Sequence, residues 1–440
     1  MSGIAEIMLK SGYRVSGSDQ ALSEITTCLA DHGAIIYDGH RSENIKDVDA
    51  LVYSSAISED NPERREAAKR NIPQIRRAEM LAETMRLKYG IAIAGTHGKT
   101  TTTSIVAEIF IHAGLDPTIV IGGRLHSLKT NARLGRGEFF ITEADEYDRS
   151  FLALSPVYAI ITSIDADHLD CYTDLADIES AFLAFARKIP FYGCLVCCFE
   201  SASVRKIAQM LQCPVVFYGF DESCNLYAKN IQYHERGSRF EIIHDKNSMG
   251  TVNLQIPGAH NILNVLGATA LALESEIPIS SVKQALEKFR GVERRFQIKG
   301  IREDIIIVDD YAHHPAEIQA TLEGARKSYP RRLLAVFQPH LYSRTKDFYR
   351  EFAASLTIAD IIILTDIYPA REKPLPGVSS ELILAQIPKS RLQDVHYIPD
   401  RKEIAPKIRA ILRPNDLVIT LGAGDIWKTG DELLDLIETG

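Results

Sequence analysis

The stretch from Ile91 to Ala113, IAIAGTHGKTTTTSIVAEIFIHA, restricts what this chain can fold into more than any other part of it. A β-branched apolar run, Ile91 to Ala94, ends in Gly95-Thr96-His97-Gly98-Lys99-Thr100, and a helical pattern follows with Ile105, Val106, Ile109, Phe110 and Ala113 on one face. A strand that turns through glycines into a helix N-terminus is the geometry that holds nucleotide phosphates, because unpaired N–H groups and the helix dipole both favour an anion there. Lys99 brings a full charge toward the β- and γ-phosphates, and Thr100 offers a hydroxyl to Mg²⁺. Gly95, Thr96, His97, Gly98, Lys99, Thr100 and Thr101 are therefore the candidate nucleotide-binding residues. The loop is not the standard phosphate-loop pattern, since only Thr96 and His97 separate its glycines where four residues are usual. A chance glycine turn before a lysine is the competing explanation; the preceding strand, four consecutive threonines and the following helix weigh against it.

A chain of 440 residues is too long for one ordinary core, so two or three domains are expected. Its composition, 45% hydrophobic and 25% charged, is that of a globular protein, and a formal net charge of −8 disfavours a dedicated nucleic-acid binder. A nucleotide pocket sets its own local field and is compatible with that acidity. The longest apolar stretches are too short to span a bilayer, and no basic start followed by an apolar run marks a secretory signal. Seven cysteines without a CxxC pair fit a reducing cytoplasm better than a disulfide framework, and the adjacent Cys197 and Cys198 sit in an apolar run that reads as core.

Strand and helix patterns alternate along the chain, which predicts α/β modules with parallel sheets throughout. Three segments are expected. Residues 1–88 carry strand patterns at Arg14–Ser16, Ala34–Tyr37 and Ala50–Ser54 and a helix at Glu63–Arg70. This segment opens directly on a helical pattern at Ser2, without the strand and glycine-rich turn that normally precede such a helix, so it reads as truncated. Residues 89–295 hold the phosphate loop, strands at Glu138–Glu143, Val157–Ser163, Cys194–Phe199 and Val215–Tyr218, a more β-like stretch from Leu226 to Ile256, and helices at Ile262–Glu274 and Ser280–Phe289. Residues 296–440 place strands at Ile305–Asp309, Leu333–Phe337, Ile361–Thr365 and Leu417–Leu421.

Several polar groups follow these strands, at the edge where parallel sheets bind ligands. Glu143-Ala144-Asp145-Glu146 is one; beside a phosphate loop such carboxylates suit Mg²⁺, directly or through water. Asp165-Ala166-Asp167-His168-Leu169-Asp170 is another, with one histidine among carboxylates that could ligate a metal or position an acyl-phosphate. Asn261 and Asn264 share one helix face, and their amides could pair with an adenine edge or cap the helix. Arg294-Arg295 could clamp a phosphate or form a solvated linker. Asp310-Tyr311-Ala312-His313-His314 and Gln338-Pro339-His340-Leu341-Tyr342-Ser343-Arg344 could together hold a carboxylate substrate. A zinc site competes, but no acid or cysteine joins the histidines at ligand spacing. Gly422-Ala423-Gly424 reads as a tight turn or a weak nucleotide fingerprint.

Taken in order, these segments resemble the Mur ligase family. The matching pieces are Ser2–Glu6 with Ser16-Gly17-Ser18-Asp19, Ser54-Ser55-Ala56-Ile57, GTHGKTTT at 95–102, Asn131-Ala132-Arg133-Leu134-Gly135, EADE at 143–146, Asp167-His168-Leu169-Asp170, His260-Asn261 with Asn264, Arg294-Arg295-Phe296, Asp310-Tyr311 with His313-His314-Pro315, and Gln338-Pro339-His340. The resemblance implies three domains: an N-terminal Rossmann-like domain binding the UDP substrate, a central phosphate-loop ATPase, and a C-terminal Rossmann-like domain bringing the amino acid. It implies a cytoplasmic enzyme with ATP and Mg²⁺ that adds L-alanine to UDP-N-acetylmuramate through an acyl-phosphate. By resemblance, Thr100 and Glu143 serve one Mg²⁺ and His168 a second; Asn261 and Asn264 read adenine; Arg295 meets phosphate; Asp310, His313, His314 and Arg344 arrange L-alanine and the muramoyl carboxylate. Departures are the missing first strand and glycine turn, Leu341 where many members have arginine, and Tyr147 where serine is common. No lysine lies around Phe182–Phe185, where members acting on later substrates carry one and the alanine-adding branch tends not to. The alternatives are a murein-peptide recycling ligase, a non-catalytic nucleotide-binding remnant, and a bare ATPase.

Overall fold

A computed structural model describes residues 1–122, 132–167, 171–235, 237–370 and 372–438. In chain order the elements are α1 (Ser2–Lys10), β1 (Ser16–Asp19), α2 (Glu24–Asp31), β2 (Ile35–Asp38), β3 (Leu51–Tyr53), α3 (Pro62–Lys69), β4 (Gln74–Arg76), α4 (Arg77–Met85), β5 (Tyr89–Ala94), α5 (Lys99–His112), β6 (Thr118–Val120), β7 (Ala132–Arg133), β8 (Phe139–Ala144), β9 (Tyr158–Ile161), α6 (Leu175–Ala186), β10 (Cys194–Cys198), α7 (Ala202–Ala208), β11 (Val215–Gly219), β12 (Leu226–His234), β13 (Gly237–His244), β14 (Asn247–Leu254), α8 (Ala259–Glu274) and α9 (Ile279–Lys288). The remainder is β15 (Gln297–Arg302), β16 (Ile305–Asp310), α10 (Pro315–Ser328), β17 (Arg332–Phe337), α11 (Tyr342–Leu356), β18 (Ile361–Leu364), α12 (Glu381–Leu384), β19 (Val395–Tyr397), α13 (Ile404–Arg409), β20 (Asp416–Leu421) and α14 (Trp427–Glu438). Contacts divide the chain into two compact units. The first comprises Met1–Lys229, Ile242–Gly250 and Leu263–Lys288; the second comprises Asn230–Glu241, Thr251–Ile262 and Phe289–Gly440.

In the first unit, β1 pairs with β2 and β3 with β4, both parallel, as separate two-stranded sheets. The larger sheet there runs β11-β10-β9-β5-β8-β6-β7. Its central strand β5 lies parallel between β8 and β9, with Ile91 opposite both Ile141 and Tyr158. Ile91 to Ala94 are fully buried, so β5 has no polar face and reads as a continuous apolar run, as expected for a strand covered on both sides. One core cluster joins Ile4 and Ile7 of α1 and Met85 of α4 to Phe140, Phe151, Phe182, Phe185 and Leu195. In helix α5 two buried hydroxyls are satisfied locally: those of Thr103 and Ser104 donate to the carbonyls of Lys99 and Thr100, at 2.8 and 2.7 Å. That back-bonding is what lets a polar helix start sit in a core.

The second unit carries a sheet ordered β15-β16-β20-β17-β18-β19. Strands β16, β20, β17, β18 and β19 are parallel; β15 runs antiparallel to β16, with a register shift between Ile298 and Gly300. Helices cover both faces, giving one core around Phe337, Phe352 and Tyr329 and another around Ile307, Val336 and Leu433. The expectation of parallel sheets throughout is thus corrected at β15–β16 and at β6–β7, which is also antiparallel. At β15–β16 the physical reason is connection length: Glu303 and Asp304, both with positive φ, make a tight turn too short for a parallel crossover. Strands β4, β6, β7, β15 and β19 carry too few apolar alternations to be legible, and β1 begins at Ser16, two residues later than its pattern suggested.

Candidate active site

In the first unit, the carboxyl ends of β5, β8 and β9 bring three loops together. Gly95 leaves β5 with φ +135°, and a Cβ there would lie 2.0 Å from the Thr162 hydroxyl oxygen. Gly98 has φ +82° and immediately precedes α5; a Cβ there would meet the Asn264 side-chain oxygen at 2.6 Å. Both positions therefore require glycine, for backbone conformation and for space. The loop is braced by the segment after β9. Thr96 N–H donates to the Ser163 carbonyl (3.0 Å), His97 N–H to Ser163 Oγ (3.0 Å), and Thr162 Oγ1 to the His97 carbonyl (2.5 Å). Asp165 N–H in turn donates to Thr96 Oγ1 at 2.9 Å. Two loop amides are thus committed to protein. The start of α5 adds further donors, because a helix leaves its first N–H groups without intrahelical partners.

Lys99 opens α5, and its Nζ is bound by both oxygens of Glu146 at 2.6 and 2.9 Å, by the Gly95 carbonyl at 2.7 Å and by the Thr96 carbonyl at 3.4 Å. Burial works against the charged ammonium, but Glu146, then Asp145 and Glu143, outweigh it and hold its pKa above the usual lysine value. Glu143, inside β8, accepts the Gly122 N–H at 2.8 Å. Thr100 and Glu143 supply a hydroxyl and a carboxylate oxygen, the hard donors Mg²⁺ takes when nucleotide phosphates and water complete its shell. No cluster of three His, Cys, Asp or Glu side chains suited to a metal occurs among the described residues. His168 lies outside the described residues. Asn264 lies behind the loop, accepting from Thr102 Oγ1 at 3.1 Å.

The second unit gathers the other candidates at the carboxyl ends of β16 and β17. Asp310, 6% exposed, accepts the Phe296 and Ala312 N–H groups, both at 2.8 Å; burial nevertheless raises its carboxyl to about 6, against the pull of Arg295. The arginine pair separates in role. Arg294 is a strut, donating to Asp309 (3.0 Å) and the Gly422 carbonyl (2.7 Å). Arg295 lies over the Tyr311 ring at 5.3 Å, with Glu317 3.8 Å away. His313 takes its place from the Tyr311 carbonyl (3.0 Å) and Glu317 (3.3 Å), and burial pushes its imidazole down to about 3. Burial, reinforced by a nearby arginine, likewise lowers His260 and His340 to about 4, so three neutral imidazoles line this region. Arg344 is buried on α11 and bears electrostatically on His313 and His340. His314 accepts the Ala316 N–H as the N-cap of α10 and packs edge-on against Phe348, which gives it a structural task. Asn261 donates to the Pro257 carbonyl at 2.6 Å.

Some predicted features resolve into packing. Gly422 and Gly424 crowd Gln338: a Cβ at Gly424 would meet its Oε1 at 2.4 Å and the Tyr368 ring at 2.7 Å, so this pair permits close approach of loops. Leu341 is the N-cap of α11 with φ +71°. Cys197 and Cys198 are buried in β10; desolvation raises both thiols, Cys198 to about 12, which makes them inert core residues. Sequence reasoning missed Glu146 as the partner of Lys99, Thr162 and Ser163 as the brace of the loop, and Glu317 as the orienter of His313. The first stands in the EADE run, the second pair ends a buried strand, and the third lies four residues beyond His313 on a helix; each signal became legible only with the spatial neighbour in view.

Comparison with known proteins finds one family along most of the chain. Residues 1–89 match the model of the Mur ligase family, catalytic domain; residues 93–272 match the Mur ligase middle domain; residues 294–424 match the Mur ligase, glutamate ligase domain. A UDP-N-acetylmuramate–L-alanine ligase of Geotalea uraniireducens is 49% identical over 438 residues, covering 100% of this chain and 96% of the relative. That of Geobacter sulfurreducens is 50% identical over 441 residues, covering 100% and 95%. Among solved structures, the UDP-N-acetylmuramate–alanine ligase of Thermotoga maritima superposes with TM-score 0.83 at 27% identity, covering 100% of this chain and 96% of that one. A murein peptide ligase of Psychrobacter arcticus gives TM-score 0.72 at 25% identity, covering 99% and 96%.

Proposed function

This chain belongs to the Mur ligase family, and we propose that it is an ATP-dependent ligase joining L-alanine to UDP-N-acetylmuramate in peptidoglycan precursor synthesis. The observation that carries this reading is near-50% identity over essentially the full length of both chains to ligases of that activity. The recycling-ligase alternative has less behind it, since the murein peptide ligase superposes less well than the alanine ligase. We read the modules as 1–88 for the UDP substrate, 89–295 for ATP and 296–440 for the amino acid, a division supported by the spans of the three family models. No helix among the described residues is long and apolar enough to cross a membrane, which accords with a cytoplasmic site of action.

A carboxylate is a poor electrophile because it would have to expel an oxide dianion. Transfer of the γ-phosphoryl group from ATP to the lactyl carboxylate oxygen supplies a leaving group; the amine of L-alanine then bonds to the acyl carbon, the C–O bond to phosphate breaks, and the amine sheds its proton. In the first step two anions must meet. Lys99 is the residue that neutralises the phosphoryl oxygens, with the start of α5 donating hydrogen bonds beside it. Mg²⁺, held by Thr100 and Glu143, would add charge neutralisation at the phosphates, and His168 is the further metal-side candidate. Asn261 and Asn264 are the adenine candidates, and Arg295 the phosphate candidate. Asp310, His313 and Arg344 are the groups for the amino acid and the acyl carboxylate: a buried guanidinium pairs with a carboxylate, and the neutral His313 imidazole, lowered to about 3, orients by hydrogen bonding and is too weak a base to take the amine's proton. His314 supports this set by fixing the start of α10.

The test is phosphate release by the full chain. It should require UDP-N-acetylmuramate and L-alanine together. Turnover that ignores L-alanine and accepts the recycled tripeptide moves the assignment to the murein-peptide ligase; hydrolysis independent of any amino acid reduces it to an ATPase.

A further inference from the structure

Lys99 is not waiting with a free charge. Its ammonium has three N–H donors, and Glu146, the Gly95 carbonyl and the Thr96 carbonyl take up that capacity. The carboxylate that faces it is 2% exposed. A buried charge that loses its partner costs several kcal/mol, so each member of this pair depends on the other.

The backbone that presents Glu146 is strained and pinned. Asp148 and Arg149, directly downstream, are consecutive left-handed residues with φ of 56° and 53°, and neither is glycine. Left-handed backbone of this kind persists only where the surroundings over-determine it. Here they do: Arg149 N–H donates to the Glu146 carbonyl at 3.0 Å, and Tyr172 OH donates to the same carbonyl at 2.6 Å. The Arg149 guanidinium lies 4.7 Å from the Tyr172 ring and pairs with Asp177 at 2.6 Å, while Phe151 N–H and the Ser150 hydroxyl close onto the Asp145 carbonyl, each at 3.0 Å. All of these contacts fix one turn, and that turn sets the Glu146 carboxylate on Lys99.

We propose that Glu146 is a placeholder for nucleotide phosphate: it neutralises Lys99, and ATP binds by exchanging its phosphate oxygens for the Glu146 carboxylate on that ammonium. This rests on reading residues 95–101 as the ATP cradle. A carboxylate kept beside a polyphosphate repels it, so the cradle's apparent affinity is reduced by the work of displacing Glu146, in the way any competing resting state lowers observed affinity. The device keeps the ammonium paired and makes release of Lys99 a part of nucleotide binding.

Glu146→Gln keeps the shape and an acceptor for Lys99 but removes the competing charge. Calorimetric titration of the full chain with β,γ-imido-ATP in magnesium chloride should show about tenfold tighter binding to E146Q than to wild type, which corresponds to ~1.4 kcal/mol. The gain should be smaller with ADP, which lacks the γ-phosphoryl group. In steady state, the KM for ATP should fall in E146Q while the KM for L-alanine stays put; a merely structural defect would move both. Equal or weaker binding of the imido analogue to folded E146Q overturns the proposal. Should E146Q not fold, Tyr172→Phe, which loosens the turn but keeps the carboxylate, should also tighten binding, by a few-fold, and unchanged affinity there overturns it equally. If the wild-type chain binds neither nucleotide, the cradle reading itself fails and takes this inference with it; binding to wild type without the E146Q gain sinks the placeholder alone.

Discussion

Replacing Gly95 by alanine is the severest single-methyl test of the phosphate loop. The new Cβ would lie 2.0 Å from Thr162 Oγ1, 2.9 Å from the Ser163 nitrogen and 3.0 Å from the Thr162 nitrogen. Two of these neighbours are backbone atoms, and the hydroxyl is held by donation to the carbonyls of His97 (2.5 Å) and Ala94 (3.3 Å), so nothing nearby can yield cheaply. The φ of +135° adds a conformational cost that an L side chain cannot escape. Overpacking of this kind typically costs ~1–3 kcal/mol, and holding a non-glycine residue in such a backbone region costs ~1–3 kcal/mol more. A loss of about 3 kcal/mol or more is expected, a large share of the ~5–15 kcal/mol that domains possess. Gly114→Ala provides the control: φ is +78° there, but a Cβ would meet nothing within 4 Å, so that change isolates backbone strain at ~1–2 kcal/mol. Urea unfolding of both variants, with adenine-nucleotide binding measured alongside, separates clash from strain. G95A should be the less stable by at least ~1–2 kcal/mol and should not bind ADP, while G114A should bind it normally. If the two variants lose the same stability, the packing of the loop against Thr162 has been misread.

Lys99→Ala should reduce turnover by ~10²–10³, the usual effect of removing one charge-stabilising donor at a reacting centre; wild-type phosphate release in that variant would take Lys99 out of the mechanism. Asn264→Ala removes the acceptor of Thr102 from beneath Gly98 and should raise the KM for ATP more than it lowers kcat, and an unaltered ATP dependence would confine Asn264 to helix packing. Acid should weaken the second unit. His260, His313 and His340 stay neutral in the fold down to about 4, 3 and 4, whereas unfolded histidine protonates near 6.5, so stability present above pH ~6.5 is lost as pH falls toward those values. At pH ~5.5 each contributes a loss of about 1.4 kcal/mol, while Asp310, raised to about 6, acts in the opposite sense and returns under ~1 kcal/mol. The ring resonances of these histidines should be flat from pH 7.5 to 5, and any that titrates near 6.5 removes its share of the effect. Asp310→Asn should lower turnover without lowering the melting temperature at pH 7.5, since the carboxylate is a burden on the folded state at that pH; a clear drop in melting temperature would show that its two backbone hydrogen bonds outweigh that burden.

The order of modules, the phosphate loop, the buried strands β5, β8, β9, β16 and β17 and the helix that follows Lys99 were all set by local sequence, because each depends on periodicity, β-branched runs and glycines within a few residues. The chemical type of most site residues followed from their place after those strands. What tertiary structure decided was partnership. That Lys99 meets Glu146 across 47 positions, that Asn264 backs Thr102 across 162, and that Arg294 braces Asp309 and Gly422 while its neighbour Arg295 does not, are facts of loops packed edge to edge. The pKa values of Asp310 and the three neutral histidines belong to the same class, for burial and the field of neighbouring charges exist only once the sheet has gathered residues distant in the chain. Short strands such as β7 and β19 also waited for the fold: two or three residues carry no period of their own, and they become strands because a longer neighbour offers its unpaired N–H and C=O groups.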